Sequence, residues 1–166
     1  MKNVVLIGMP NTGKSSVGKE LAKILNMKFV DTDYLIKKEV NMELRDIVIE
    51  KGLNEFLKIQ ESTLLKIKEH NAIISTGGSV IYSDSVMLHL KKDGIIVFLD
   101  TKKEILIKRI TSDRRFAKEK SKNFDELYNE RIPLYRKYAD FRISCDNRKI
   151  EEISEGIVKK INNLIN

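Results

Sequence analysis

The chain has 166 residues, of which 42% are hydrophobic and 33% are charged. This composition is typical of a globular protein with one core, and no apolar run is long enough to span a membrane. Its single cysteine, Cys145, excludes an internal disulfide, and we interpret it as a buried strand residue rather than a nucleophile. No segment resembles a signal peptide. We therefore expect one domain over residues 1–166, in a cytoplasmic protein with no membrane partner.

The formal net charge of +7 is compatible with nucleic-acid binding. However, the sequence has no basic stripe interleaved with aromatic residues and no DNA- or RNA-binding motif. Lys-rich helix surfaces and an anionic ligand account for the charge more simply. We therefore expect no nucleic-acid partner, and we expect a monomer.

Apolar strands and helical patterns alternate along the chain. The predicted strands are short and comprise residues 3–7, 28–30, 72–75, 94–99 and 140–145. The predicted helices comprise residues 14–26, one or two segments within 34–51, 54–69, 84–92, a helix begun by a capping box at Thr101–Glu104, 124–137 and 150–164. This alternation predicts an α/β fold, a three-layer α/β/α sandwich around a parallel sheet that binds ligands at the carboxyl ends of its strands.

The stretch from Gly8 to Ser15 joins the first predicted strand to the first predicted helix. It reads Gly-Met-Pro-Asn-Thr-Gly-Lys-Ser and fits the P-loop pattern G-x-x-x-x-G-K-[ST] at each position. The N–H groups of such a loop form an anion nest, Lys14 can reach the β- and γ-phosphates, and Ser15 can bind Mg²⁺. We therefore predict binding of ATP or a similar nucleotide with Mg²⁺. The predicted nucleotide-binding residues of this stretch are Gly8, Asn11, Thr12, Gly13, Lys14, Ser15 and Ser16.

Two acidic residues, Asp31 and Asp33, follow the second predicted strand. Acids at a strand end commonly serve in a turn or as a helix N-cap. Beside a P-loop a second interpretation arises, because a magnesium phosphate site needs a carboxylate and another carboxylate can accept the proton of a substrate hydroxyl. Both interpretations stay open at this point.

Paired glycines and a helical arginine are the next candidates. Gly77 and Gly78 follow the third predicted strand, where they either let the backbone approach a ligand or form a plain turn. Arg131 lies late in a helix that Pro133 ends or kinks. Its guanidinium either binds a carboxylate or phosphate, or lies at the surface.

A charged segment at about 112–123 contains Arg114 and Arg115. A cationic loop beside a nucleotide site can close over the phosphates and exclude water, which would otherwise hydrolyse ATP. A solvated loop has the same composition, so the segment is a candidate lid.

Taken together in chain order, these segments resemble the shikimate kinase family over nearly the whole chain. The resemblance is carried by the P-loop, the Asp-Thr-Asp at 31–33, the Thr-Gly-Gly at 76–78, the short lid and the Arg-x-Pro-Leu-Tyr at 131–135. It implies a P-loop kinase of the nucleoside-monophosphate-kinase fold. Such an enzyme transfers the γ-phosphoryl group of ATP to the 3-hydroxyl of shikimate, in aromatic amino acid biosynthesis.

On the nucleotide side, the resemblance implies that Asp31 supports the magnesium shell and that Arg109 lies against the adenine. It implies that Lys14 is a catalytic residue at the phosphates. It also implies that Arg115, or alternatively Arg114, is a catalytic residue in the lid over the phosphates. On the substrate side, the implied residues are Asp33, which holds the hydroxyl groups and acts as base, the backbone of Gly77 and Gly78, and Arg131, which pairs with the substrate carboxylate.

Four substitutions on the substrate side depart from the family pattern. The family has Gly-Glu-x-x-Phe-Arg, whose arginine is a second clamp on the substrate carboxylate, whereas this chain has Leu53 and Leu57 at the acid and the arginine. A further family acid is Gln60 here, and the third glycine of the family triplet is Ser79. Three interpretations therefore stay open: a shikimate kinase with a weakened or rebuilt clamp, a kinase for another small hydroxyl compound, or a non-catalytic ATP-binding relative.

Overall fold

A computed structural model of the protein describes residues 1–110 and 122–166. The predicted lid at about 112–123, with Arg114 and Arg115, lies outside the described residues except for its last two positions. Within the two described ranges, no helix is both long enough and apolar enough to cross a membrane.

The described part of the chain alternates strands with helices, as predicted. The strands are β1 (Asn3–Ile7), β2 (Lys28–Asp31), β3 (Ala72–Ser75), β4 (Gly94–Asp100) and β5 (Phe141–Ser144). The α-helices are α1 (Lys14–Leu25), α2 (Thr32–Val40), α3 (Leu44–Lys51), α4 (Leu53–Leu65), α5 (Asp84–Lys92), α6 (Lys103–Arg109), α7 (Phe124–Tyr138) and α8 (Ile150–Ile165). A short 3₁₀ turn, Val80–Tyr82, precedes α5.

The strands form one parallel sheet in the order β2-β3-β1-β4-β5. Strand β1 is central, and its Val5 pairs with Ile74 of β3 on one side and Ile96 of β4 on the other. The chain leaves β1 toward β2, returns at β3 and then crosses to β4 beyond β1. The carboxyl end of β1 therefore lies where the winding direction changes, which is where open α/β sheets bind ligands.

Alternate residues of β1 face two separate cores. Val5 and Ile7 belong to a large cluster with residues of α2 to α7, whereas Val4 and Leu6 belong to a second cluster with residues of α1 and α8. A parallel strand with both faces buried reads as a continuous apolar run, which explains the sequence of β1. Helices thus cover both faces of the sheet, and the predicted three-layer α/β/α sandwich is confirmed.

The predicted capping box at Thr101–Glu104 is wrong. Helix α6 begins at Lys103 with Lys102 in the N-cap position, and no side chain caps its first turn. Thr101 is buried instead, and the N–H of Lys102 donates to Asp146 Oδ1 at 2.8 Å. A distant carboxylate thus binds the chain where the local pattern suggested a cap.

One helix end also differs from the prediction. Helix α4 ends at Leu65 rather than at residue 69, and the N–H groups of residues 66 and 67 bond three residues back, which tightens the last turn. Of the two effects predicted for Pro133, ending the helix is wrong, because α7 continues to Tyr138, one residue beyond its predicted end; a kink stays a prediction. The residues that follow Pro133 include the buried Tyr135 and Tyr138, and their packing keeps the last turn helical.

Candidate active site

A cavity of about 280 Å³ opens at the carboxyl ends of β1, β2 and β3. Its walls come from the P-loop, the β2–α2 junction, helices α3 and α4, the segment after β3, and α7. Most of the predicted site residues line it: Asn11, Gly13, Lys14, Ser15, Ser16, Asp31, Asp33, Gly77, Gly78 and Arg131. The tertiary fold thus gathers residues from four separate segments of the sequence.

The P-loop owes its shape to residues at unusual backbone angles. A Cβ atom at Gly8 would lie 2.7 Å from the carbonyl oxygen of Leu99, so only glycine allows the loop to pass β4 this closely. Gly13 and Asn11 have φ angles of 92° and 69°, in the region that glycine and asparagine tolerate best. Thr12, between them, is buried. The loop therefore leads directly into the N-terminus of α1, where backbone N–H groups favour the binding of an anion.

Lys14 supplies a fixed positive charge inside this loop. The side chain is buried, with 8% exposure, and its Nζ donates to the carbonyl oxygens of Gly8 at 2.8 Å and Met9 at 2.7 Å. Ser15 and Ser16 follow on the first turn of α1, are exposed and line the same cavity. This end of the cavity therefore combines an ammonium group, two hydroxyls and a helix N-terminus, a set that suits a polyphosphate.

Arg109 reaches the P-loop from the end of α6. Its Nη1 donates to the carbonyl oxygen of Asn11 at 2.9 Å, while the side chain stays exposed. Arg109 does not line the cavity itself. It lies at the outer side of the loop, and its contact with adenine stays a prediction.

Asp31 is the N-cap of α2. Its Oδ1 accepts hydrogen bonds from the N–H groups of Asp33 at 2.9 Å and Tyr34 at 3.4 Å. The N-cap interpretation of this acid is therefore confirmed, and Asp31 also lines the cavity. Among residues 1–110 and 122–166, no group of three or more His, Cys, Asp or Glu side chains is arranged to hold a metal ion.

The paired glycines allow three groups to converge. A Cβ atom at Gly77 would lie 2.6 Å from Oδ1 of Asp33. A Cβ atom at Gly78 would lie 2.8 Å from Cδ of Pro10 and 2.9 Å from Nη1 of Arg131. The absence of side chains at both positions therefore lets the acid, the P-loop and the arginine approach the same stretch of backbone.

Arg131 is buried, so its interpretation as a surface arginine is wrong. Its side chain is 1% exposed, its Nε donates to the hydroxyl of Tyr82 at 3.1 Å, and its guanidinium carbon lies 5.2 Å from the centre of the Tyr82 ring. Tyr135 stacks on Phe98 and donates to the carbonyl oxygen of Gly78 at 2.6 Å. Burial raises the pKa of Tyr135, which stays a neutral donor. A guanidinium held in this way keeps a positive charge at the cavity, and its pairing with a carboxylate stays a prediction.

Two of the four departures on the substrate side form one contact. Gln60 and Ser79 are 2% and 4% exposed, and Ser79 Oγ donates to Oε1 of Gln60 at 3.1 Å. Leu57 does not line the main cavity; together with Lys58 it lines a separate pocket of about 130 Å³. Leu53 begins α4 and also lies off the main cavity. The apolar substitutions therefore do not form the wall of the main cavity.

The sequence did not single out Arg45 and Tyr82. Arg45 lines the main cavity together with Leu44 and Val48 of the same helix. A helical face with spacing i, i+1 and i+4 around Arg45 was the available signal. Tyr82 carries no such signal, because its contact with Arg131 joins residues 49 positions apart in the sequence.

Comparisons with known proteins agree with this geometry. A sequence profile described as shikimate kinase matches residues 10–162. The chain belongs to the shikimate kinase family. It is 39% identical to the shikimate kinase of Thermodesulfovibrio yellowstonii over 100% of this chain and 98% of that protein. It is 35% identical to that of Caldanaerobacter subterraneus subsp. tengcongensis over 96% of this chain and 95% of that protein.

A solved shikimate kinase has the same fold. The enzyme from Acinetobacter baumannii, in complex with shikimate, superposes with a TM-score of 0.88 at 25% identity, covering 98% of this chain and 94% of that one. The comparisons thus confirm the predicted family, the predicted α/β P-loop fold and the predicted activity, which is ATP-dependent phosphorylation of an alcohol group. The single domain, the monomeric state, the cytoplasmic location and the lack of a nucleic-acid partner stay predictions.

Proposed function

We propose that this chain transfers the γ-phosphoryl group of ATP to the 3-hydroxyl of shikimate, with Mg²⁺ as cofactor. One observation carries the proposal: a single cavity is lined by Lys14 and Ser15 of the P-loop, by Asp33, and by the buried Arg131. A kinase for a small hydroxy acid needs these parts, namely cationic donors for phosphates, a carboxylate for the acceptor hydroxyl and a cation for the acid group.

The P-loop binds the triphosphate. Its backbone N–H groups and the N-terminus of α1 attract the anionic phosphates, and the Lys14 ammonium approaches the β- and γ-phosphates. Arg109, anchored on the Asn11 carbonyl, holds the outer side of the loop next to the nucleoside. Arg115 is the proposed lid residue and lies outside the described part of the chain.

Ser15 and Asp31 would hold Mg²⁺. A hydroxyl and a carboxylate oxygen line the same cavity, and hard oxygen donors of this kind fit Mg²⁺, which completes its shell with phosphate oxygens and water. When bound, Mg²⁺ neutralises charge on the transferring phosphoryl group. The N-cap bonds of Asp31 Oδ1 fix the direction of the carboxylate without using its other oxygen.

Asp33 orients the acceptor hydroxyl and takes its proton. The carboxylate lies against the Gly77 backbone, in the cavity that also contains the phosphate end of the site. Carboxylates are weak bases in general. In phosphoryl transfer most of the rate comes from positioning and charge neutralisation, so a well-placed aspartate suffices.

Arg131 binds the carboxylate of the substrate. A guanidinium with planar paired donors suits a carboxylate, and Tyr82 fixes this one from the side. Gly77 and Gly78 bring backbone groups to the substrate between Asp33 and Arg131. The substrate is thereby held at both ends, with its hydroxyl toward Asp33.

A coupled assay of ADP release with Mg²⁺, ATP and millimolar shikimate tests the proposal, with the product identified by phosphorus NMR. We expect release that depends on shikimate and gives shikimate 3-phosphate. A rate equal to that without acceptor would overturn it. A panel of other hydroxy acids, polyols and nucleosides tests the other acceptors, and a clear preference for one of them would replace shikimate as the substrate.

A further inference from the structure

We propose that Arg45 is the second cation of the carboxylate clamp and binds the substrate carboxylate together with Arg131. This inference rests on the proposed function, because it concerns the substrate of that same cavity. It names a binding residue that lies on α3, outside the motifs that carry the family resemblance.

The composition of the cavity wall singles out Arg45. Among the described residues that line the cavity, the cationic ones are Lys14, Arg45 and Arg131. The carbonyl oxygens of Gly8 and Met9 hold the Lys14 ammonium within the P-loop, at the phosphate end. Arg45 and Arg131 are therefore the cations available to the acid group of the substrate.

The fold places Arg45 in the cavity wall next to the residue that α4 contributes, Phe56. Helix α3 packs on α4, and Val48 of α3 and Phe56 of α4 line the same cavity. Leu57 and Lys58, which follow Phe56, line the separate smaller pocket instead. The residues of α4 that face the substrate thus contribute an apolar surface, and the positive charge next to it comes from α3.

The present contacts of Arg45 leave it able to bind a substrate. Its Nε lies 3.8 Å from Oδ1 of the neighbouring Asp46, and the two side chains are 54% and 43% exposed. An exposed ion pair at this distance contributes little, and a guanidinium carries five N–H donors. A carboxylate that enters the cavity can therefore engage Arg45 without breaking a strong interaction.

Steady-state kinetics of Arg45→Gln test the inference. A lost hydrogen bond to a charged group lowers affinity by about tenfold to a hundredfold, and the half-exposed position of Arg45 argues for the lower end. We therefore expect the KM for shikimate to rise about tenfold, with the KM for ATP unchanged. Arg45→Lys keeps the charge but not the planar fork, and we expect an intermediate value. Lys51→Gln is the control, because it removes one positive charge from the same helix at a position off the cavity.

A neutral substrate analogue distinguishes a direct contact from a structural effect. With the methyl ester of shikimate, the wild type and Arg45→Gln should have similar KM values, because the charge that Arg45 binds is gone. An Arg45→Gln enzyme with the wild-type KM for shikimate would overturn the inference while leaving the proposed function in place. An equal loss with shikimate and its ester would also overturn it. A wild type without shikimate-dependent ADP release would overturn the proposed function and, with it, the assignment of Arg45.

Discussion

Replacing Gly77 with alanine adds a single methyl group next to Asp33, the proposed base. The added Cβ would lie 2.6 Å from Oδ1 of Asp33, 3.5 Å from its Cγ and 3.7 Å from its Oδ2. Gly77 is not among the residues with positive φ, so its backbone tolerates alanine. The carboxylate of Asp33 is therefore the group that must move.

The size of the effect follows from the distance. To go from 2.6 Å to an ordinary contact of 3.4 Å, Oδ1 of Asp33 must shift by about 0.8 Å. Because a misplacement of about 1 Å can cost ~10²-fold in rate, we expect kcat for shikimate phosphorylation to fall about a hundredfold. The displaced atom is the end of a flexible side chain, so we expect the free energy of unfolding to change by less than about 1 kcal/mol.

Steady-state kinetics and a denaturant titration of the same sample measure both quantities. The KM for ATP should stay at the wild-type value, because the methyl group lies away from the P-loop. Gly156→Ala is a matched control, because Gly156 lies on α8, which does not border the cavity. The Cβ atom added there would lie 2.7 Å from Cδ1 of Ile143. A Gly77→Ala enzyme with wild-type kcat would refute the placement of Asp33, and a control that loses activity would show that the effect is not local.

Two further predictions concern Arg131 and Cys145. Tyr82→Phe removes the hydroxyl that accepts a hydrogen bond from Arg131 Nε but keeps the ring next to the guanidinium. The KM for shikimate should therefore rise about five- to tenfold, while the KM for ATP stays constant. An unchanged KM for shikimate would contradict this positioning role of Tyr82. Burial raises the pKa of Cys145 to about 11, and the residue is 2% exposed. Because the native thiol is protonated at pH 8, a thiol reagent should label the folded protein far more slowly than the protein in guanidinium, and equal rates would count against a buried thiol.

The parts of the site that the sequence could predict are those encoded locally. The P-loop is one continuous stretch in which a glycine holds a backbone angle that other residues rarely adopt, as the φ of 92° at Gly13 illustrates. The strands that position it have both faces buried and are recognisable as apolar runs. Asp31 and Asp33 follow from the same logic, because the end of a parallel strand is where ligands bind.

The remaining parts depend on contacts between distant segments. Gln60 and Ser79 look like two separate losses in the sequence, yet they form one buried hydrogen bond in the fold. Arg45 lines the cavity because α3 packs on α4; the spacing within α3 indicates which residues share a face, but not which segment that face packs against. Local patterns also failed where a distant group intervenes, as when Asp146 binds the N–H of Lys102 in place of the predicted capping box.

The central claim is that one cavity holds a magnesium–ATP complex at the P-loop and an alcohol at Asp33. Calorimetric titration of Asp33→Asn with ATP and Mg²⁺, with turnover of shikimate measured on the same preparation, tests it most directly. We predict an ATP affinity within about twofold of the wild type and a turnover reduced by about 10²–10⁴-fold, as for the loss of a positioned base. Loss of ATP binding together with turnover would contradict the separation of the two sites. The absence of magnesium-dependent ATP binding by the folded wild-type protein would contradict the claim as a whole.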